Sequence, residues 1–436
     1  MPIDNIDFKE KQGRLLQESL EIELSPKHKL YKLRSLINWT SLESQMSELC
    51  QVSNTGRTRK SLRVLLGVTM LQAMYNYSDC LSSETLMENL YWQYFCGYEY
   101  GRSDLLVSES CIRRFRQEIG EEGFKLILQE LALVGIKVGA YKKKDLDSVI
   151  IDTTVQSKNI KHPHDVPLLS KAREELVKLS YDLGISLNDT YAKKYKRFAI
   201  KVWKYKQGSK SKQRLKLMKH MKTLLGRLIR VIERNIASIN KPLSEKHSSL
   251  LSRIKLIHSQ SCLNEKQRKD YKEENKVLYS LHATEVECIG KGKLHKPYEF
   301  GNKVGLAVSG QGNFILGVKS FHGNPYDGHT LKQTVESIKE IAGVEPKKIF
   351  VDLGYRGSNY SKKGRVYTPY TKKEITPEIK RMQKRRSAIE PVIGHLKHYG
   401  RMGRNYLKGV EGDILNPLIS AIGFNLKRLA NVVTAT

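Results

Sequence analysis

Apolar positions divide the chain into three stretches of different period. Up to about Lys144 the spacing is helical. Leu65, Val68, Met70, Leu71 and Met74 recur as on one helix face, and Leu81, Leu86 and Leu90 begin a second face. The aromatic cluster Tyr91, Trp92, Tyr94, Phe95, Tyr98 and Tyr100 follows and ends in the turn-rich GRSD. Ser108 or Ser110 is placed to cap a further helix carrying Arg113, Arg114 and Arg116. Helix, turn and Arg-bearing helix suits a DNA-reading module. It equally suits a helical bundle with aromatics inside and a solvated basic face.

In the second stretch SVIIDTTV, Ser148 to Val155, reads as a buried strand. From about Leu168 to Leu281 the pattern turns helical and basic, with fifteen Lys or Arg and no acid between Tyr191 and Arg230. Leu217, Met221, Leu224, Leu228 and Val231 predict one apolar face, and Leu243, Leu250, Leu251, Ile254 and Ile257 a returning helix after Pro242. A merely solvated face mixes both signs of charge, so an all-cationic one points to a phosphate backbone. From about Glu285 strands return as EVECIG, YEFGNKVGLAVSG and NFILGVKSF, with SGQGN as a hairpin turn. A helix from Gly328 to Ala342, the strand KKIFVDL, a short strand near RVYTP and a helical C-terminal stretch complete the order. The pattern predicts an α/β core interrupted by an all-helical segment. The expected boundaries are 1–144 for an all-α N-terminal domain for DNA binding or dimerisation, 145–166 for the first part of the core, 167–282 for the basic helical insertion, and 283–436 for the remaining core and C-terminal helices.

Charge sharpens this picture. Seventy-six Lys and Arg face 45 Asp and Glu, a net charge of +31. Self-repulsion of that size calls for a polyanionic partner, and nucleic acid is the usual one. A ribosomal or membrane-surface protein would show the same total, so charge names a partner class and leaves activity open. The six cysteines are scattered, with no C-x-x-C pair and no histidine at finger spacing, which argues against a structural zinc site or a disulfide framework. The start, MPIDNIDFKEK, is polar, and the longest apolar run, Leu62 to Met74, is too short to span a bilayer and contains Arg63. A cytoplasmic protein without membrane contact is expected. No G-x-x-x-x-G-K-[ST] motif exists to cradle ATP phosphates.

The candidate chemistry is carboxylate chemistry. Two strands end in aspartate, VIID at Asp152 and IFVD at Asp352. An acid after buried aliphatics is costly unless it faces an opening or binds a metal. If the two strands are parallel neighbours, about 4.8 Å apart, their acids converge at the strand ends. For either strand alone, an aspartate capping the next turn explains as much. The third acid, Glu390, stands 38 positions past Asp352 in QKRRSAIEPVIGHLK. On a helix started by Thr376-Pro377, Arg386, Glu390 and Lys397 fall within about 40° of one another, a carboxylate flanked by cations. Pro391 and a possible capping box, Ser387-x-x-Glu390, instead favour a fresh helix there that leaves Arg386 outside. Asp145 and Asp147 read as solvated, Asp165 and Asp327 as turn residues more than as groups behind a metal's ligands, and His162 with His164 as weak zinc candidates.

The segments IIDTTVQSKNIKHPHD, FVDLGYRGS and RRSAIEPVIGHLKHYGRMGRN resemble the DDE transposases of bacterial insertion sequences, in particular the group named after insertion sequence five. SESCIRRFRQEIG and GNPYDGHTL extend the likeness to most of the chain. The resemblance implies a ribonuclease-H-like catalytic core with Asp152, Asp352 and Glu390 as catalytic, metal-holding residues. It implies two Mg²⁺ ions about 3.5–4 Å apart, for which Mn²⁺ can substitute. It further implies cleavage at element ends, 3′-hydroxyl strand transfer into double-stranded target DNA, and a homodimer in the synaptic complex. Arg386 and Lys397 are then expected on DNA phosphates, with Arg113, Arg114, Arg116, Lys201, Lys204, Arg401 and Arg404 as further DNA contacts. The superfamily's Tyr-x2-Arg-x3-Glu-x6-Lys pattern is met except at the tyrosine, where Gln383 stands. The rival readings are a catalytically silent, transposase-derived DNA-binding protein and a nuclease that cuts without joining.

Overall fold

The computed structural model describes residues 18–50, 59–104, 106–205, 211–238, 243–274, 277–290, 297–358, 360, 365–371 and 375–435. The polar start of the chain and Pro242 lie outside the described residues. The chain divides into two compact units, residues 1–157 with 302–436, and residues 158–301.

In the first unit the helical period yields α1 (Leu20–Glu23), α2 (Lys29–Leu36), α3 (Trp39–Leu49), α4 (Leu62–Tyr75), α5 (Asp79–Glu88), α6 (Leu90–Phe95) and α7 (Glu109–Lys137). Every residue of α4 from Val64 to Met74 is buried, as befits a helix apolar on all sides. Ser108, not Ser110, caps α7, accepting from the Cys111 N–H. Trp92, Tyr94 and Phe95 are buried, so the aromatic cluster is core. The second expected face fails at Leu81, which is 42% exposed, while Leu86 is buried. Asp145, expected in solvent, is buried and accepts the Lys142 N–H at 2.8 Å.

The sheet of this unit holds β1 (Ser148–Ser157), residues 302–309 of β3 (Tyr298–Ser309), β4 (Ile315–Phe321), β5 (Lys348–Phe350) and β6 (Arg365–Tyr367). β3 neighbours both β1 and β4, and β1, β5 and β6 run parallel. β3 and β4 are antiparallel across the expected hairpin, where Gly312 and Asn313 take positive φ. Against the sheet lies α13 (Asp327–Ala342). It approaches closely because two strand positions lack a side chain: a Cβ on Gly305 would overlap Thr334, and one on Gly317 would stand 2.7 Å from Ile338. The chain ends with α14 (Pro377–Arg385), a 3-10 turn (Arg386–Ala388), α15 (Ile389–His398) and α16 (Gly409–Ala435). One hydrophobic core, from Leu30 to Val433, joins the helices of the first 140 residues to the sheet.

The second unit contains α8 (Asp165–Asp182), α9 (Ala192–Lys204), α10 (Ser211–Ser238), α11 (Glu245–Cys262), α12 (Glu265–Glu273) and β2 (Glu287–Gly290), which pairs antiparallel with residues 298–301. Its core is built on Leu169, Leu176, Met221, Leu225, Ile232, Ile254 and Ile257. The α10 stripe is rotated from the expected one. Leu225, Ile229 and Ile232 are buried beside Met221 and Leu228, while Val231 is 37% exposed. Lys193, Lys196, Arg197, Lys201 and Lys204 are exposed on α9. Among the described residues no helix is long and apolar enough to cross a membrane.

Candidate active site

β1 and β5 pair in register, Ile150 beside Phe350. Two residues further along parallel strands, Asp152 comes level with Asp352, where β5 has ended and β1 continues. Asp152 is mostly buried, and its Oδ1 accepts the Thr153 N–H at 2.8 Å. Asp352 Oδ1 accepts the Gly354 N–H at 2.9 Å, the side-chain-to-backbone bond that begins the 3-10 turn Leu353–Tyr355. Burial first, and then the negative charge of Asp352, push the Asp152 carboxyl up to about 6. The Thr153 N–H and Arg386 act in the opposite direction. Asp352 is raised as well, by burial first and also by Asp327, against the Gly354 N–H and Arg386. Two acids that burial and mutual repulsion both disfavour as anions form a site that gains by taking up a cation.

A third acid stands with them. Asp327 opens α13, and its Oδ1 accepts from Thr153 Oγ1 at 2.8 Å and from Lys303 Nζ at 2.9 Å. Lys303 Nζ also donates to the Pro325 carbonyl at 2.7 Å. Both Asp327 Oδ2 and Asp352 Oδ1 lie 3.0 Å from the point where a Cβ on Gly354 would stand, so they are at most about 6 Å apart. Only glycine leaves that gap open. Tyr355, 1% exposed, has a hydroxyl without a well-formed hydrogen bond. Its polar neighbours are Thr330, whose proton goes to the Asp327 carbonyl, and the carboxylates of Asp152, Asp327 and Asp352. Burial, and then these charges, hold the phenol well above its ordinary pKa. The turn reading of Asp327 thus understated it. The available signal was YDGHT at a helix start, facing strands with glycine at the seats of that helix.

Glu390 is not brought into this group. It sits on α15 with its side chain 65% exposed, 4.0 Å from Arg386. Among the described residues, no three His, Cys, Asp or Glu side chains stand close enough to hold a metal ion. The capping box expected at Ser387 does not form. α15 starts after Ala388 without a side-chain cap, and the Ser387 hydroxyl donates backward to the Lys384 carbonyl at 3.4 Å. Arg385, Arg386 and Ala388 all keep right-handed helical backbone angles, so the cation and the acid remain one turn apart. Pro391 is tolerated because it falls in the first turn of α15, where its missing N–H has no partner to lose.

The expected DNA contacts separate by burial. Arg113, Arg114, Lys201, Lys204 and Arg404 are exposed, and Arg386 and Lys397 half-buried. Two need correction. Arg116 is buried and ion-paired with Asp79, and it also donates to Gln72 Oε1 at 3.3 Å, so its charge is spent inside the helical region. Arg401 is mostly buried and donates to the Tyr77 carbonyl. Burial, with Arg116 nearby, lowers its guanidinium to about 10. Sequence alone counted both as surface cations because their partners lie far away along the chain. The loop holding Arg401 is a joint: the Ser157 N–H donates to the Met402 carbonyl at 3.1 Å, and the Asn405 N–H to the Ser157 carbonyl at 2.7 Å. Gln383 donates to the Thr368 carbonyl at 2.9 Å, a packing role.

Residues 18–118 match the family model described as Transposase domain (DUF772), and residues 280–413 match the Transposase DDE domain. A Rhizobium meliloti protein described as uncharacterized protein ORF8 in nfe locus is 29% identical over 191 residues, 44% of this chain and 91% of that one. No solved structure matches the chain. Both matched models are transposase models, and together they support a DDE transposase of insertion sequences. DDE transposases generally use divalent metal ions, and the pair of raised aspartates level on parallel strands, with a further acid at most about 6 Å from Asp352, has the donor chemistry for one.

Proposed function

We propose that the protein is a working transposase of the group named after insertion sequence five, with a ribonuclease-H-like core. It nicks DNA at the ends of its element and joins the freed 3′-hydroxyl to target DNA as a synaptic homodimer. The observation that carries this reading is the Asp152–Asp352 pair, level on adjacent parallel strands with Asp152 inside β1 and Asp352 just past the end of β5, both raised by burial and by neighbouring negative charge. Asp152 and Asp352 would hold Mg²⁺, with Mn²⁺ able to replace it, and Glu390 would join them from α15 when DNA is bound. The ions supply charge stabilisation at the attacking and leaving oxygens of an in-line displacement. Arg386, which acts electrostatically on both aspartates, would move its charge onto a DNA phosphate, which removes its bond to Glu390 and frees that acid. Lys397, two turns on, would hold a further phosphate. The exposed cations Arg113, Arg114 and Arg404 of the first unit, and Lys201 and Lys204 of the second, would grip the backbone.

The test is nicking of labelled element-end duplexes with Mg²⁺ or Mn²⁺. Asp152→Ala, Asp352→Ala and Glu390→Ala should each cut nicking by more than about 100-fold, with gel-shift affinity retained. Binding by the wild-type protein without nicking in either metal would favour a silent DNA-binding protein. That alternative draws on Glu390, whose side chain is 65% exposed and stands by Arg386.

A further inference from the structure

We propose that Asp327 is a third acid of the metal site, a positioning residue whose Oδ2, together with the Tyr355 hydroxyl, holds the water shell of an ion carried by Asp152 and Asp352. The inference rests on the metal-dependent reading above and adds residues to it.

Asp327 is oriented from one side only. Thr153 and Lys303 both bond its Oδ1, which turns Oδ2 toward Asp352 across the gap kept by Gly354. Thr153 follows Asp152 directly, so the bond that fixes Asp327 also ties it to the strand that bears the first acid. Lys303 is 12% exposed, and its charge offsets that of Asp327, which lets a third carboxylate stand beside two others in the free protein. The Tyr355 hydroxyl supplies an independent sign. A buried phenol whose hydrogen bond is poorly formed gains by finding a better partner, and its surroundings are Thr330 and the three carboxylates. Mg²⁺ keeps several of its waters and binds through one or two carboxylates, so nearby oxygens are filled through water rather than by direct ligation. Asp327 Oδ2 would accept from such waters and Tyr355 would donate to or accept from one, the usual task of groups behind a metal's ligands.

The measurement is Mn²⁺ binding to the full chain without DNA, followed by electron paramagnetic resonance, with thermal melting under chelator as the folding control. Asp152→Asn should remove binding. Asp327→Asn, which retains an oxygen for Thr153, should weaken it about 10- to 100-fold. Tyr355→Phe should weaken it less while the melting temperature holds or rises, because a poorly bonded hydroxyl has been removed. A structural role for either residue would shift melting and leave the affinity of the folded fraction alone. If Asp152→Asn loses Mn²⁺ and both other variants bind as the wild type, Asp327 and Tyr355 have no part in the site and the inference falls alone. If Asp152→Asn binds normally, or the wild type does not bind, the metal-dependent reading falls with it.

Discussion

Asp152 lies on β1 between the buried Ile151 and Val155, and its carboxyl is held up to about 6 by burial and by the charge of Asp352. The ordinary value is 3.8, so between those two pH values the folded chain keeps a proton that the unfolded chain has lost. Metal-free stability therefore falls as pH rises from about 4 to about 6, and the deficit is complete above that window. A shift of about two units corresponds to about 3 kcal/mol. Asp152→Asn should accordingly melt higher than wild type at pH 8 in chelator and coincide with it at pH 4. Equal melting at pH 8 would show that the carboxylate is not strained. The same dependence on surroundings sets Arg116 apart from its neighbours on α7. Arg113 and Arg114 reach solvent, but Arg116 one turn away finds Asp79 and Gln72, which no local pattern announces.

Elements carry the site as much as residues do. α13 brings Asp327 to Thr153 only because Gly305 and Gly317 let the helix settle onto the sheet. Gly305→Ala should cost about 1–3 kcal/mol by overpacking against Thr334, measured by urea unfolding, and should weaken Mn²⁺ binding as well. A destabilised variant with unchanged Mn²⁺ affinity would show that the seat of α13 does not set the site. The strands, the hairpin at SGQGN and α13 could be read from alternation, turn residues and helical period. The joint between α14 and α15 could not. Ser387-x-x-Glu390 matches a capping box, yet the backbone stays helical through the 3-10 turn, because Arg385 anchors its end of α14 to the Gly310 carbonyl at 2.7 Å.

For the whole molecule the governing quantity is a net charge of +31. In the second unit the cations of α9 point outward while Tyr195 and Val202 enter the core, so charge can be removed there without opening it. Changing Lys193, Lys196, Lys201 and Lys204 together to Gln should leave melting unchanged. It should flatten the plot of log binding constant against log salt by about 0.9 for each DNA phosphate that is no longer neutralised. An unchanged slope would remove this face from the DNA interface.

Period, turn chemistry and charge, each a property of neighbouring residues, set the mixed α/β class, the helical interruption, a polyanionic class of partner and two of the candidate acids from the amino-acid order alone. Folding decided what depends on residues far apart in the chain: that β1 and β5 lie side by side in register, that Asp327 joins Asp352 across a missing side chain, and that Arg116 and Arg401 turn inward. The reason is that a side chain's cost or use is set by what surrounds it. Those surroundings come from segments as far as 324 positions away, the span of the bond from Arg401 to the Tyr77 carbonyl.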